Sequence, residues 1–249
     1  MQIKKRYLFV LPLLVGFIIA QAVIASSGPP GSSSNPVISK SYADKVFKPI
    51  QEQISSLQAE VAQLKATREQ PKFTDVPSTY WAFSDIQLMT EKGIITGLGG
   101  QKFGPDNQAR RCELAVMLVK ALKLPTVGTE TGFIDVPKGH WAGAQIAAAQ
   151  KAGIISGFPG GKFKPEDYVT RGQMAMMLAK AFDLKRINRA DEFIDVPISY
   201  WAYDAIQRLA DNGISIGFED KTFRPAALVR RAEAAVFLAK ALDPSRRKY

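Results

Sequence analysis

The strongest constraint in this chain is that it repeats itself. Phe73-Thr74-Asp75-Val76-Pro77 returns as Phe133-Ile134-Asp135-Val136-Pro137 and again as Phe193-Ile194-Asp195-Val196-Pro197, at a spacing of 60 residues both times. Trp81-Ala82, Trp141-Ala142 and Trp201-Ala202 share one position of the period, and they hold all 3 tryptophans of the chain. Gly93-Ile94, Gly153-Ile154 and Gly213-Ile214 align. So do the Phe-x-Pro pairs at Phe103, Phe163 and Phe223, the arginines Arg111, Arg171 and Arg231, and Lys120-Ala121, Lys180-Ala181 and Lys240-Ala241. A fixed period without insertions means that one structural unit is built three times.

Each unit reads as helix, loop, helix. The first helix starts near the tryptophan, and in the third repeat Trp201, Ala202, Ala205, Ile206 and Leu209 fall on one helical face. Gly93, Gly153 and Gly213 stand where a left-handed C-terminal cap belongs. A Gly-rich loop and Phe-x-Pro lead to the second helix. Thr170-Arg171-Gly172-Gln173 has the form of a capping box, and Met174, Met177, Leu178 and Ala181 continue as its buried face. Two helices alone bury little. Three such units sharing one core predict a mainly α, pseudo-threefold cooperative body from about Phe73 to Leu242.

The N-terminus is an address. Lys4-Lys5-Arg6 precedes an apolar stretch from Tyr7 to Ala25 of about nineteen residues, followed by Ser26-Ser27-Gly28. A basic head, an apolar middle and a small-residue exit form a secretory signal over residues 1–25. The stretch is also close to the ~20 residues that span a bilayer, so an uncleaved membrane anchor is the alternative, although Pro12, Gly16 and Gln21 weaken it. No cysteine follows the stretch to support a lipoprotein route. In both readings the rest of the chain leaves the cytoplasm.

Residues 26–41 hold Gly28-Pro29-Pro30-Gly31 and Ser32-Ser33-Ser34, a linker composition. Over 42–70, Phe47, Ile50, Ile54, Leu57, Val61 and Leu64 follow a 3-4-3-4-3 spacing, a heptad seam. Asp44 could cap this helix, and Pro49 belongs near its start. The seam predicts a homo-oligomer through residues 44–69, with a parallel dimer favoured. A single helix folding back onto the repeats is the other reading.

Composition narrows the function. One cysteine among 249 residues excludes an internal disulfide framework, and one histidine argues against zinc sites and His-dependent triads. Neither a metal site nor a cofactor is expected. The formal charge is +10, from 33 Lys+Arg against 23 Asp+Glu; removing Lys4, Lys5 and Arg6 leaves 30 against 23, or +7. That charge suits an anionic partner. Export makes a nucleic acid an improbable one, and an anionic envelope polymer the better one.

With these residues in place, the repeats resemble S-layer homology domains in their usual set of three, at 71–130, 131–190 and 191–249. Phe-x-Asp-Val-Pro, Trp-Ala, Gly-Ile-Ile-x-Gly, Phe-x-Pro and the Thr-Arg-x-Glu type motif carry the likeness over about 170 of the 249 residues. The resemblance implies a three-pronged helical spindle. It also implies non-covalent attachment to the cell envelope through a pyruvylated wall polymer or peptidoglycan-linked groups. Ligand grooves would lie between neighbouring units, with Arg111, Arg171 and Arg231 facing the acidic ligand. A guanidinium is a planar fork matched to carboxylate and stays charged. The competing reading gives these arginines to salt bridges with Asp75, Asp135 or Asp195, or to solvent.

The sequence departs from the family pattern. The motif threonine stands only at Thr170, with Arg110 and Arg230 in its place elsewhere; the motif acid is Glu113 and Glu233 but Gln173 in the middle repeat. Arg110 and Arg230 remove a side-chain cap and could strengthen anion capture. In the loops, Asp220 keeps the acid of an Asp-Gly pair, Gly161 keeps the glycine, and Gly99-Gly100-Gln101 keeps neither. Three inequivalent grooves are expected. Trp81, Trp141 and Trp201 are expected in the core at a helix start, with sugar stacking as the alternative. His140 aligns with Tyr80 and Tyr200 as a substituted ring, Cys112 fills a small-residue slot with an intermolecular disulfide as its alternative, and Met174, Met176 and Met177 fill core. Arg246-Arg247-Lys248 reads as a solvated tail.

These features favour a non-catalytic envelope-anchoring protein, with a membrane-to-wall linker or a protein scaffold as alternatives. The N-terminus could add membrane contact. A wall-cleaving enzyme built on Asp75, Asp135 and Asp195 is disfavoured, because an Asp before Val-Pro ordinarily orders a turn.

Overall fold

The computed structural model describes residues 40–69, 71–187 and 193–247. The apolar stretch Tyr7–Ala25 and the Gly/Pro/Ser linker lie outside them. Residues 71–249 form one compact unit and 1–70 another.

In the first unit, helix α1 spans Lys40–Glu69. Because it already includes Lys40, Asp44 lies within the helix rather than capping it, and Pro49 sits in its interior. The seam residues Phe47, Ile50, Leu57 and Leu64 are exposed, while Ile54 and Val61 are partly covered. No described helix is long and apolar enough to cross a membrane.

In the second unit each repeat makes two helices: α2 (Phe83–Glu91) and α3 (Arg111–Leu122), α4 (Gly143–Lys151) and α5 (Arg171–Ala181), α6 (Tyr203–Asp211) and α7 (Arg231–Leu242). A 3-10 turn, Pro244–Arg246, follows. The short first helices end where Gly93, Gly153 and Gly213 take φ of 67°, 71° and 65°, which a glycine adopts without strain. The chain then runs through a loop pinned from behind. Asp75 accepts the backbone N–H groups of Phe103 and Gly104, both at 2.8 Å. Asp135 accepts those of Phe163 and Lys164, and Asp195 those of Phe223 and Arg224, at 2.7–2.8 Å. The aspartates of Phe-x-Asp-Val-Pro are therefore clamps that close each unit. Neither arginine pairing nor catalysis uses them.

The same clamp explains the glycine of Ile-x-Gly. A Cβ at Gly157 would lie 2.5 Å from the Phe133 ring and 2.9 Å from the Lys162 carbonyl, and Gly97 and Gly217 meet Phe73 and Phe193 in the same way. Phe133 stacks on Phe163 with centroids 5.4 Å apart. Phe103, Phe163 and Phe223, together with Ile86, Ile146 and Ile206, are fully buried.

The units close into a ring. The second helix of each repeat packs on the first helix of the next, α3 on α4 and α5 on α6; α7 then packs on α2, returning to the first repeat. At the centre the backbone makes a triangle: Ala109 N–H donates to Val229 O, Val229 N–H to Val169 O, and Val169 N–H to Ala109 O, at 2.8–2.9 Å. The second helices also receive caps from their neighbours. The first amides of α3, at Arg111 and Cys112, donate to the Asp167 and Pro165 carbonyls of the next repeat. Those of α5 use Ala227 and Pro225, and those of α7 use Asn107 and Pro105. A helix leaves its first N–H groups without internal partners; here the next repeat supplies two acceptors to each.

The expected solvated tail is instead docked. Arg246 pairs with Asp85 of α2 as well as with Asp243, and Arg247 donates to the Lys240 and Ala241 carbonyls at 3.0 and 3.1 Å. These bonds cap the C-terminus of α7 with cations, as its dipole favours. Lys248 lies outside the described residues.

Candidate functional site: three inter-repeat grooves

Each motif arginine sits at the first position of a second helix and reaches into the following repeat. All three are buried, 4–5% exposed. Arg111 donates through Nε to Phe163 O at 2.9 Å, Arg171 to Phe223 O at 2.8 Å and Arg231 to Phe103 O at 3.1 Å. The carbonyl belongs in each case to the phenylalanine of the next Phe-x-Pro. Each guanidinium also lies over that phenylalanine's ring, at 4.7–5.0 Å. The three junctions share this geometry and differ in what surrounds it.

At the third-to-first junction, Arg231 is fully engaged. Its NH1 group lies 3.1 Å from Glu113 Oε1, and its NH2 group donates to Thr96 O at 2.8 Å. Glu113 turns its other oxygen back to the Arg110 amide at 2.8 Å. At the second-to-third junction, Arg171 faces Glu233 at 3.6 Å, and Glu233 likewise receives the Arg230 amide at 2.8 Å. At the first-to-second junction, Gln173 replaces the acid. Its single Oε1 serves both the Thr170 amide at 3.3 Å and Arg111 at 3.5 Å, and the Arg111 NH2 group reaches only Ser156 O at 3.4 Å. The reciprocal bond from the Gln173 amide to Thr170 Oγ1, 3.3 Å, completes the capping box. Burial lowers the pKa of all three arginines. Glu233 and Glu113 oppose that for Arg171 and Arg231, whereas Arg111 is lowered to about 10.

The groove beside Arg171 is a pocket of about 150 Å³. Trp81 of the first repeat, Arg171 of the second and Phe218, Glu233, Phe237 and Lys240 of the third line it. Phe218 touches two cations, Arg171 at 4.9 Å and Arg224 at 4.0 Å. Asp220 is engaged in its own loop, accepting from Thr222 and, at 2.9 Å, from Arg224. Those bonds, from the Thr222 hydroxyl first, hold its carboxyl down to about 2. Asp220 thus acts on the groove only through Arg224. Phe158 repeats the arrangement beside Arg111, with Arg111 at 4.6 Å and Lys164 at 4.9 Å. Leu98 and Gly104 hold the corresponding positions beside Arg231, so that groove has neither the loop ring nor the cation at its lip.

Two expectations are corrected here. The tryptophans are not core residues: Trp81, Trp141 and Trp201 are 56%, 62% and 58% exposed. Each ring leans on its neighbour, Tyr80, His140 or Tyr200, at 5.5–6.0 Å, and Trp201 also lies against Gly172. The buried face of each first helix begins one residue later, at the fully buried Ala82, Ala142 and Ala202. Second, Arg110 and Arg230 are not loose cations. Arg110 pairs with Glu166 of the next repeat, and Arg230 with Asp106 at 3.2 Å. Glu166 also receives His140 at 3.4 Å.

Reading the sequence missed these acids. Asp106, Glu166 and Ala226 share one position of the period. An acid stands opposite each arginine, and alanine stands opposite Thr170. The signal was present, but it becomes legible only when each repeat is set against the next rather than against itself. Cys112 is fully buried at the same junction, and burial pushes its thiol up to about 12. It is packing, and an intermolecular disulfide would have to tear it from the core. Among the described residues no cluster of His, Cys, Asp and Glu could hold a metal.

A ring of three helical repeats, each junction carrying a buried arginine and the chain an exposed indole per repeat, defines a class of repeat module with grooves between its units. Residues 72–115, 132–175 and 192–235 each match the S-layer homology domain, and the chain belongs to that family. It is similar to an S-layer protein of Bacillus thuringiensis subsp. finitimus, 35% identical over 172 residues, 68% of this chain and 21% of the relative. The S-layer protein EA1 of Bacillus anthracis is 36% identical over 171 residues, 67% and 20%. An endoglucanase of Bacillus sp. (strain KSM-635) is 32% identical over 169 residues, 66% and 18%. The chain thus spans about a fifth of the length of these relatives.

Proposed function

We propose that this chain is a non-catalytic anchoring protein of the cell envelope. Its inter-repeat grooves take an anionic wall polymer or peptidoglycan-linked group, with a pyruvylated sugar as the favoured ligand. The observation that carries the reading is the pocket in which Trp81, Arg171 and Lys240, from three different repeats, converge. An indole offers a flat apolar face to sugar C–H groups, and a guanidinium offers a fork to a carboxylate. The names of the S-layer relatives point to the same setting. In this reading Met1–Ala25 exports the chain and either leaves it or stays as a membrane anchor. The exposed seam of α1 assembles copies into a homo-oligomer, which would multiply the grooves offered to one polymer.

The test is sedimentation of the full chain, in non-ionic detergent, with isolated wall sacculi before and after mild acid removal of ketals. The arginines knit the repeats together, so the exposed indoles are the safer probes. Trp81→Ala, Trp141→Ala and Trp201→Ala together should leave the helical signal intact and release the chain from untreated sacculi, as acid treatment should. A chain that stays in solution with untreated sacculi overturns the reading.

A further inference from the structure

The three grooves carry different charge. Beside Arg231 and Arg171 a carboxylate already faces the guanidinium, so an incoming anion must compete with Glu113 or Glu233. Beside Arg111 there is only the Gln173 amide oxygen, shared with the Thr170 amide. The two outer contacts of Arg111, at 3.5 and 3.4 Å, lie at the weak end of hydrogen bonding. Those of Arg231 are 3.1 and 2.8 Å. The lip of the Arg111 groove adds Lys164 on Phe158, a cation on the ring that Arg111 also touches. The lip of the Arg231 groove has Gly104 there instead.

Taking the anchoring reading as its basis, we propose that the Arg111 groove is the one that holds the acidic group of the polymer, and that Gln173 is the residue that selects it. A buried cation lacking a facing carboxylate gains most from an anion, because the cost of removing its charge from water has already been met by the fold. The ligand class is a sugar-borne carboxylate. Its two oxygens fit the outer edge of the Arg111 guanidinium, whose present acceptors are distant. The grooves with Glu233 and Glu113 then contribute contacts to neutral sugar, with their arginines serving as inter-repeat ties.

The test uses the full chain in non-ionic detergent and two probes, wall sacculi and methyl 4,6-O-(1-carboxyethylidene)-glucopyranoside, a minimal pyruvate-ketal sugar. Arginine Nε–H signals followed by NMR report which guanidinium responds to the sugar. Gln173→Glu should fold normally, since two repeats carry glutamate at that position already. It should weaken binding of the ketal sugar at least tenfold, the size expected when a facing charge is introduced in a partly buried site. Glu233→Gln should bind no more weakly than wild type and should add a second responding arginine. Retention of wild-type affinity by Gln173→Glu, or a response of Arg171 or Arg231 rather than Arg111 in the wild type, overturns the assignment while leaving the anchoring reading intact. Failure of the wild type to bind either probe overturns both.

Discussion

Ala109 and Val229 are joined by a 2.8 Å backbone hydrogen bond although 120 residues separate them, and it is one side of a triangle completed at Val169. The bond puts the first amino acids of α3 and α7 side by side. It makes each junction depend on the other two, because removing one repeat would leave two sides of the triangle open and one second helix without its caps. Unfolding should therefore be a single transition for residues 71–247.

The Arg110–Glu166 contact is a selective tie between the first and second repeats. Both side chains are about half exposed, so the pair is worth at most about 1 kcal/mol. Arg110→Glu should lower stability by about that amount by placing like charges together, and the double variant with Glu166→Arg should recover most of it. Urea unfolding of the four-membered cycle measures the coupling; a coupling of zero would show that the contact contributes nothing.

Thr170 is the one second-helix cap that supplies a side-chain acceptor. Thr170→Ala should cost about 1 kcal/mol, because Ala227 and Pro225 continue to satisfy the first two amides of α5. A loss well above about 2 kcal/mol would mean that the neighbouring carbonyls give way with the hydroxyl.

Acid should open the clamps. Burial acts to raise the pKa of Asp75 and Asp135, but two backbone N–H donors each and the nearby Lys102 or Lys162 outweigh it and hold both carboxyls below their ordinary value of 3.8. A carboxyl lowered in the folded state stabilises the fold above its unfolded pKa and loses that contribution as pH falls through the folded one. The thermal midpoint should fall most steeply from about pH 4 downward. The double variant Asp75→Asn, Asp135→Asn should start lower at pH 7 and show a shallower acid limb, followed by circular dichroism.

Gln207 in α6 is fully buried, and neither of its side-chain polar atoms finds a partner among the described residues. Gln207→Leu keeps the volume and removes a buried amide, and should stabilise the chain by about 1–3 kcal/mol. A lower melting temperature would instead reveal an ordered water or a contact made through residues 188–192.

What the sequence made legible was local. The 60-residue period, the left-handed glycines at Gly93, Gly153 and Gly213, and the ring of His140 beside Trp141 follow from neighbouring residues and one steric rule each. The first position of the second helix, where the arginines stand, was legible too. Their destination was not, because Arg111 meets Phe163, 52 residues away in another unit, and no period within one repeat encodes the neighbour. The exposure of Trp81 and the docking of Arg246 onto Asp85 failed to show for the same reason: both depend on α7 lying against α2. Asp75 misled in the opposite direction, since a carboxylate repeated three times resembles chemistry until its two oxygens are seen to hold backbone amides 28 and 29 residues on.

The Arg246–Asp85 contact ties the last turn of the chain to its first repeat helix. Topologically the unit is a circle that happens to be cut between the third repeat and the first. The connections after α3 and after α5 are the same cut in two other places, so circularly permuted chains beginning at either one should rebuild the same junctions. The order in which the repeats are translated is then a matter of genetic punctuation, and the molecule itself has no first repeat.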